Sequence, residues 1–141
     1  MKMLLSFLVV LSISFNSISQ TRDSDLILGQ YWTENKEGKI EVYKNGNSYF
    51  GKIVWRKEIR KDTENPDRSL RDRSVIGIVF MKDFIFKNDK WVDGKVYSID
   101  NGNTYSGKMW LENSGSTLKM RGYLGISLLG RTATLTRVKD E

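Results

Sequence analysis

The 141-residue chain carries 23 Lys and Arg against 17 Asp and Glu, a net charge of +6, and contains neither His nor Cys. The lack of both residues excludes disulfides, thiolate nucleophiles and transition-metal sites built on imidazole or thiolate ligands. Because the basic residues are scattered and interleaved with acidic ones, the charge surplus predicts no nucleic-acid partner.

Residues 1–19 have the pattern of an export signal. Lys2 precedes an apolar stretch, and Ser17-Ile18-Ser19 places small residues where signal peptidase reads, which predicts cleavage before Gln20. The apolar stretch is too short to cross a hydrocarbon core of ~30 Å as a helix, and no Cys follows it to carry an acyl chain. We therefore expect an exported protein, periplasmic or secreted, without a membrane span and not a lipoprotein. Residues 20–141 are expected to form a single domain.

Strand signals recur along the mature chain, separated by Gly-, Asn- and Asp-rich turns. Alternation in the third strand predicts that Tyr49, Ile53 and Trp55 share one face. A further apolar run, Phe84-Ile85-Phe86, follows the fourth strand. The expected strands are Leu26–Thr33, Lys39–Tyr43, Ser48–Arg56, Val75–Met81, Gly94–Ser98, Asn103–Leu111, Thr117–Tyr123 and Arg131–Val138.

A nine-residue repeat supports this pattern. The stretch 45–53 returns as 101–109, with six of the nine positions identical. Each copy opens with Asn-Gly, which adopts a positive φ at little cost and so predicts a tight turn leading into a strand. Because Tyr49 and Tyr105 occupy equivalent places in the two copies, we expect both rings to point inward or both to point outward.

The segment 57–73 interrupts the strands. Asn65-Pro66-Asp67 predicts the start of a short helix, with Asn65 as N-cap and Pro66 at the first helical position, continuing at most to Arg71. The oxygen atoms of this segment are of the kind that bind Ca²⁺, but the spacing lacks the elements of an EF-hand and capping already accounts for Asn65. The sequence therefore predicts no metal site and no cofactor.

Eight antiparallel strands in succession favour closure into a barrel. An open eight-stranded sheet would leave two edges exposed to other chains, whereas closure removes both. The expected fold is therefore all-β, an eight-stranded up-and-down antiparallel barrel with one short helical turn in the loop after the third strand. A barrel of this size is either filled by side chains or holds one small ligand.

Five motifs carry a resemblance to a known family: Gly51–Trp55, Asn65-Pro66-Asp67, Leu70–Arg73, Gly94–Tyr97 and the long block Arg121–Thr132. On these motifs the chain, from about Leu26 to Val138, resembles a family of exported bacterial proteins of unknown function with a lipocalin-like (calycin) barrel. Two aromatic positions of the lipocalin pattern differ. Tyr31 stands where the family's N-terminal Trp is expected, with Trp32 one place later, and Leu135 stands where a C-terminal Trp is usual.

The resemblance also implies a structural role for Arg137. In lipocalin-like barrels an arginine on the last strand stacks across the N-terminal aromatic residue and closes one end of the barrel. The expected partner is Tyr31 or Trp32, through a cation–π contact.

Six residues are candidates for ligand contact. The aromatic candidates can line an apolar pocket or simply fill the interior, and both alternatives are open. Arg121 and Arg131 can bind a ligand's carboxylate or phosphate, or form salt bridges that pin the long loop through Asp62, Asp67 or Asp72. The candidates are Tyr49, Trp91, Tyr105, Arg121, Tyr123 and Arg131.

No nucleophile–base pair is visible in the sequence, so we expect no catalytic residues and no enzyme. The favoured function is binding of a small apolar or amphiphilic ligand inside the barrel. The alternative is a structural or interaction module of the cell envelope, with a filled barrel that contacts a protein or glycan through the 57–73 loop.

Overall fold

The computed structural model describes residues 22–123 and 131–140. Its eight strands follow one another around a closed barrel; each pairs antiparallel with its neighbours, and β8 pairs with β1. The predicted all-β, up-and-down, eight-stranded barrel is confirmed. The strands are β1 (Gly29–Trp32), β2 (Gly38–Asn45), β3 (Ser48–Arg56), β4 (Val79–Lys87), β5 (Lys90–Tyr97), β6 (Thr104–Glu112), β7 (Thr117–Tyr123) and β8 (Arg131–Arg137).

Two predicted strand boundaries were wrong in the middle of the chain. The fourth strand is not Val75–Met81 but β4, which starts later and takes in the Phe84-Ile85-Phe86 run. Val75 and Ile78, which precede it, belong to the loop between β3 and β4 and are buried with Ile53 and Ile99 in a second hydrophobic cluster. The fifth strand starts at Lys90 rather than Gly94, because Asn88 and Asp89 both adopt positive φ and make a tight two-residue turn.

The predicted helical turn is present but shorter and capped differently. The described residues contain four 3₁₀ turns, at Asp23–Asp25, Glu34–Lys36, Arg68–Leu70 and Asn113–Gly115. The cap of the third turn is Asp67, whose Oδ1 accepts the Ser69 N–H at 2.9 Å, and not Asn65. Asn65 instead accepts the Asp67 N–H at 2.8 Å, so its side chain stabilises the turn that precedes the helix. Pro66 consequently lies before the helical turn.

A β-bulge in β3 reverses the faces predicted for its last residues. Lys39 of β2 pairs with Trp55, but Ile40 pairs with Ile53, so Val54 is an extra residue on β3. Trp55 is therefore turned outward, where it is 40% exposed and meets Trp32 edge to face at 5.8 Å between ring centroids. Its predicted place on the face of Tyr49 was wrong, because alternation along a sequence does not reveal a bulge.

One end of the barrel is packed solid. At this closed end lie the β2–β3, β4–β5 and β6–β7 turns, and its core includes Tyr49, Trp91 and Phe84. The Phe84 ring lies directly on the backbone of β5, where a Cβ atom on Gly94 would overlap it. The glycine thus permits an aromatic ring to pack against the sheet.

The N-terminal segment before β1 covers the closed end of the barrel. Ile27 is fully buried beneath the barrel. The Trp91 Nε1–H donates to the Ser24 carbonyl at 3.1 Å, the Tyr49 hydroxyl donates to Asp25 Oδ1 at 2.6 Å, and the Tyr31 hydroxyl donates to the Ile27 carbonyl at 2.8 Å. Three buried rings therefore satisfy their polar atoms on this one segment and hold it in place.

Candidate functional site

The opposite end of the barrel contains a cavity of about 780 Å³. This open end carries the β1–β2, β3–β4 and β5–β6 connections and the strand ends Tyr123 and Arg131. The wall of the cavity is formed by apolar side chains from inside the strands, and the polar rim by residues at strand ends and in connections. The wall comprises Ile40, Ile53, Phe80, Val96, Met120, Ala133 and Leu135; the rim includes Glu34, Arg56, Tyr97, Asp100, Asn101, Tyr105, Tyr123, Arg131 and Thr134.

The six ligand-binding candidates do not lie together. Tyr105, Tyr123 and Arg131 line the cavity. Tyr49 and Trp91 lie at the closed end, with their ring centroids 6.3 Å apart. Arg121 lies between the cavity-lining Met120 and Gly122 on β7, and its Nη1 donates to Thr132 at 3.2 Å. A role in ligand contact stays a prediction for all six, but only three border the empty space.

The strand directions explain why equivalent tyrosines lie at opposite ends. Both rings face the interior, since Tyr49 is buried in the core and Tyr105 lines the cavity. The two copies of the repeat begin β3 and β6, which are three strands apart in an antiparallel barrel. An odd number of steps reverses the strand direction, so the start of β3 is at the closed end and the start of β6 at the open end.

Sequence reasoning missed Arg56, the last residue of β3. Strict alternation from Tyr49 assigns it to the opposite face, but the bulge at Val54 brings its side chain into the lining of the cavity. Its Nε is buried and, within the described part of the chain, meets no hydrogen-bond acceptor. No local pattern marks this residue, because its direction depends on the pairing of β3 with β2.

The long loop, residues 57–78, is held against the rim from the β5–β6 side. Arg60 forms an ion pair with Asp100 at 2.8 Å and donates to the Ile99 carbonyl at 3.0 Å. The backbone of the loop also approaches Gly102 so closely that a Cβ atom there would overlap the Glu64 carbonyl. The loop is thus docked onto the barrel beside the cavity.

A buried carboxylate forms the centre of this docking. Asp62 is 0% exposed and accepts the Tyr97 hydroxyl at 2.6 Å, the Asn65 amide at 2.8 Å, and Arg73 Nη2 at 2.9 Å. Burial alone would raise the pKa of Asp62, but the hydrogen bonds from Tyr97, Asn65 and Arg73 outweigh it and hold the pKa below its usual value. The cation at Asp62 is therefore Arg73 of the same loop, whereas the sequence pattern suggested Arg121 or Arg131.

Tyr97 connects this cluster to the cavity. Its side chain belongs to the rim, and burial together with the hydrogen bond to Asp62 raises the pKa of its hydroxyl to about 12. The hydroxyl therefore stays protonated and donating at all physiological pH values, which keeps the loop attached to β5.

Residues 22–123 and 131–140 contain no group of three or more acidic side chains that converge in a way that would hold a metal ion. None of the helical turns in the same ranges has the length and apolar character of a membrane span.

A family model described as "Uncharacterized protein conserved in bacteria (DUF2147)" matches residues 29–137. The chain belongs to this family. The match runs from the first residue of β1 to the last residue of β8, so the DUF2147 unit coincides with the barrel and contains the cavity. No curated protein matches the sequence.

A solved structure has a similar barrel. Protein HP1028 from Helicobacter pylori, described as belonging to the lipocalin family, matches with a TM-score of 0.72 and 26% sequence identity. The match covers 81% of this chain and 84% of HP1028. The resemblance to a bacterial family with a lipocalin-like barrel is therefore confirmed.

Proposed function

We propose that this protein binds a small, partly apolar ligand in the open end of its barrel and does not change it chemically. The observation that carries the proposal is the cavity of about 780 Å³ above a fully packed closed end. This volume falls within the range of ~300–1,000 Å³ usual for small-molecule sites. An apolar wall beneath a polar rim suits a ligand with an apolar body and one polar end.

The contrast between the packed closed end and the cavity at the open end supports ligand binding rather than a barrel that is only filled by side chains. An eight-stranded barrel is narrow enough for side chains to fill it, as they do at the closed end. Each Å² of apolar wall surface that stays in contact with water lacks the ~25 cal/mol of stabilisation that its burial would give. A ligand that covers the partly buried side chains of Phe80, Met120 and Ala133 would recover this free energy.

We further propose that the protein acts after export, in the periplasm or outside the cell. Residues 1–19, which precede the described part of the chain, support this through their charge, apolar stretch and small residues before Gln20. N-terminal sequencing of the protein recovered from its own envelope tests it, and the expected first residue is Gln20. Recovery of an intact Met1 in the membrane fraction would overturn the proposal.

The binding proposal is tested with a neutral fluorescent probe such as N-phenyl-1-naphthylamine. We expect a saturable fluorescence increase with the wild type. The variant Ala133→Trp, which fills the cavity from its wall, should lose the increase, whereas Thr132→Trp, on the exposed neighbour, should keep it. No binding by the wild type, or unchanged binding by Ala133→Trp, would show that the cavity is not a binding site. If the probe binds as expected, native mass spectrometry of the protein purified from its own envelope would identify the natural ligand.

A second candidate function is contact with an envelope protein or glycan through the 57–73 loop. Ile59 favours it, because this apolar side chain is 81% exposed on a loop whose base is firmly docked. A photo-crosslinking residue at position 59 should then capture a partner in cells, while the same residue at Lys87, at the closed end, should not. Equal yields at both positions would remove this candidate.

A further inference from the structure

Arg56 differs from the other arginines that hold the barrel together. Arg60, Arg73 and Arg137 each donate to carboxylate or carbonyl oxygens at defined distances. Arg56 lines the cavity with a buried Nε–H for which residues 22–123 and 131–140 provide no acceptor. A buried donor without an acceptor is unfavourable and is therefore rare in native proteins. Because the partly exposed Arg56 side chain lines the cavity, a rotation of the guanidinium would bring its Nε–H to an acceptor on a ligand there.

The acidic residues of the rim do not fill this role. Asp100 is paired with Arg60 at 2.8 Å. Glu34 accepts the backbone N–H of Thr134 at 3.2 Å through Oε1, and its carboxylate forms no ion pair with Arg56. A second cation, Arg131, lies on the same rim. With Asp100 neutralised by Arg60, the rim carries two arginines against the one carboxylate of Glu34, a net positive charge above an apolar wall.

We propose that Arg56 binds the anionic head group of an amphiphilic ligand whose apolar part lies against the cavity wall, an inference that rests on the proposed function. The planar guanidinium matches a carboxylate or a phosphate, each of which can accept two parallel hydrogen bonds. When the guanidinium rotates towards the ligand, the same contact also satisfies the Nε–H. The ligand class is therefore an amphiphile with one acidic group, from a free fatty acid to an alkyl phosphate.

The test compares ligands with the same twelve-carbon chain and different head groups. Dodecanoate, dodecyl phosphate, dodecan-1-ol and dodecylamine compete with the neutral naphthylamine probe at pH 8. A charge-assisted hydrogen bond predicts that at least one anion binds about tenfold or more tightly than dodecan-1-ol to the wild type. Dodecylamine should bind more weakly than dodecan-1-ol. The better of the two anions identifies the head group.

Matched variants assign the preference to Arg56. Arg56→Met should lose the preference for anions while its affinity for dodecan-1-ol stays unchanged. Arg56→Lys, which keeps the charge but not the planar fork, should keep only part of the preference. Arg68→Met removes the same charge from an exposed position in the long loop and should behave as the wild type.

The outcomes separate this inference from the proposed function. If the probe and dodecan-1-ol bind but the anions gain nothing, or if Arg56→Met keeps the anion preference, the inference is wrong and the cavity still binds apolar ligands. If neither the probe nor any of the four compounds binds the wild type, the proposed function itself fails. A folded Arg56→Met variant is expected, because the change removes an unsatisfied donor, and thermal melting checks this.

Discussion

Arg137 joins three separate parts of the chain at the closed end. Its guanidinium carbon lies 4.8 Å from the ring centroid of Tyr31. Its three nitrogens donate to the carbonyls of Gly115 at 2.8 Å, Leu28 at 2.8 Å and Leu26 at 2.5 Å. Of the two expected aromatic partners, Tyr31 is therefore the one beneath the guanidinium. Trp32 lies on the outside of the barrel, where its ring centroid is 4.4 Å from Lys39 Nζ.

Arg137→Ala should lower the free energy of unfolding by about 1–3 kcal/mol. The change removes the cation–π contact and three hydrogen bonds, and it does so away from the cavity. Denaturant unfolding measures the loss, and Arg68→Ala, at an exposed site, is the control. The affinity for the neutral probe should change little. A large loss of affinity at an unchanged unfolding midpoint would instead place Arg137 in the binding site.

Tyr31 and Tyr97 should dominate the response to alkaline pH. Burial raises the pKa of Tyr31 to about 12 against an opposing effect of Arg137, and burial with the Asp62 hydrogen bond raises the pKa of Tyr97 to about 12. Since unfolding returns both to their ordinary value near 10, their stabilising contribution is complete below pH ~10 and is lost as the pH rises towards 12.

Absorbance of tyrosinate near 295 nm measures this titration. The folded wild type should show a late increase in this absorbance, as the pH approaches 12, that the unfolded protein does not show. Tyr31→Phe and Tyr97→Phe should each remove part of this late increase, and the double variant should remove both parts. A late increase of unchanged amplitude in the double variant would contradict the assignment.

The repeat places one sequence motif in two different environments, once in β3 and once in β6. In β3 the tyrosine lies in the packed half and donates to Asp25, whereas in β6 it borders the cavity and accepts a hydrogen bond from Asn101 at 2.8 Å. The two rings should therefore differ in what they contribute, even though their local sequences are nearly the same.

Tyr49→Ala should cost ~3–5 kcal/mol of stability, as expected for truncation of a buried aromatic residue. Tyr105→Ala should cost much less and should weaken binding of the neutral probe, because the ring borders empty space. Each variant serves as the control for the other in the same unfolding and binding measurements. Equal stability losses would contradict the division of the barrel into a packed and an open half.

The hydrogen bond from Tyr97 to Asp62 is one of the contacts that hold the long loop to the barrel. Tyr97→Phe removes the hydroxyl that donates to the buried Asp62 and should lower stability by ~1–3 kcal/mol. Hydrogen exchange should rise in residues 60–75 and stay unchanged at the closed end. Tyr123→Phe, at the same rim, is the control, and a uniform rise over the barrel would contradict a local role.

Acid should release the same contact. Because the pKa of Asp62 is lowered in the folded protein, its carboxylate contributes stability above the ordinary pKa near 3.9, and this contribution is lost as the pH falls through the folded value. In Tyr97→Phe the dependence on acid should be weaker, since one of the hydrogen bonds that lower the pKa is missing.

For the molecule as a whole, the empty half of the barrel links binding to stability. A ligand that binds only the folded state stabilises it by about 2.7 kcal/mol at a free concentration one hundred times its dissociation constant. The neutral probe should therefore raise the thermal unfolding midpoint of the wild type in a concentration-dependent way. Ala133→Trp, with the cavity filled, should show no such rise. A probe that raises both midpoints equally binds elsewhere.

Much of the fold was predictable because it rests on short-range patterns. Alternation and the Asn-Gly turns of the repeat identify successive hairpins, and a row of hairpins closes on itself to remove its edges. The site was less predictable. Trp91 carries the aromatic character of a pocket residue, yet its position next to Phe86 and the N-terminal segment places it in the packed end.

The sequence by itself determined the class, number and order of the strands, and through them a barrel wide enough for one small ligand. Only the tertiary structure decided which end is empty, because that depends on where the segment around Ile27 docks. It also decided the direction of Arg56, which one extra residue in β3 turns into the cavity. Both outcomes depend on pairing and packing between residues that are distant in the sequence, so a local sequence pattern cannot predict them.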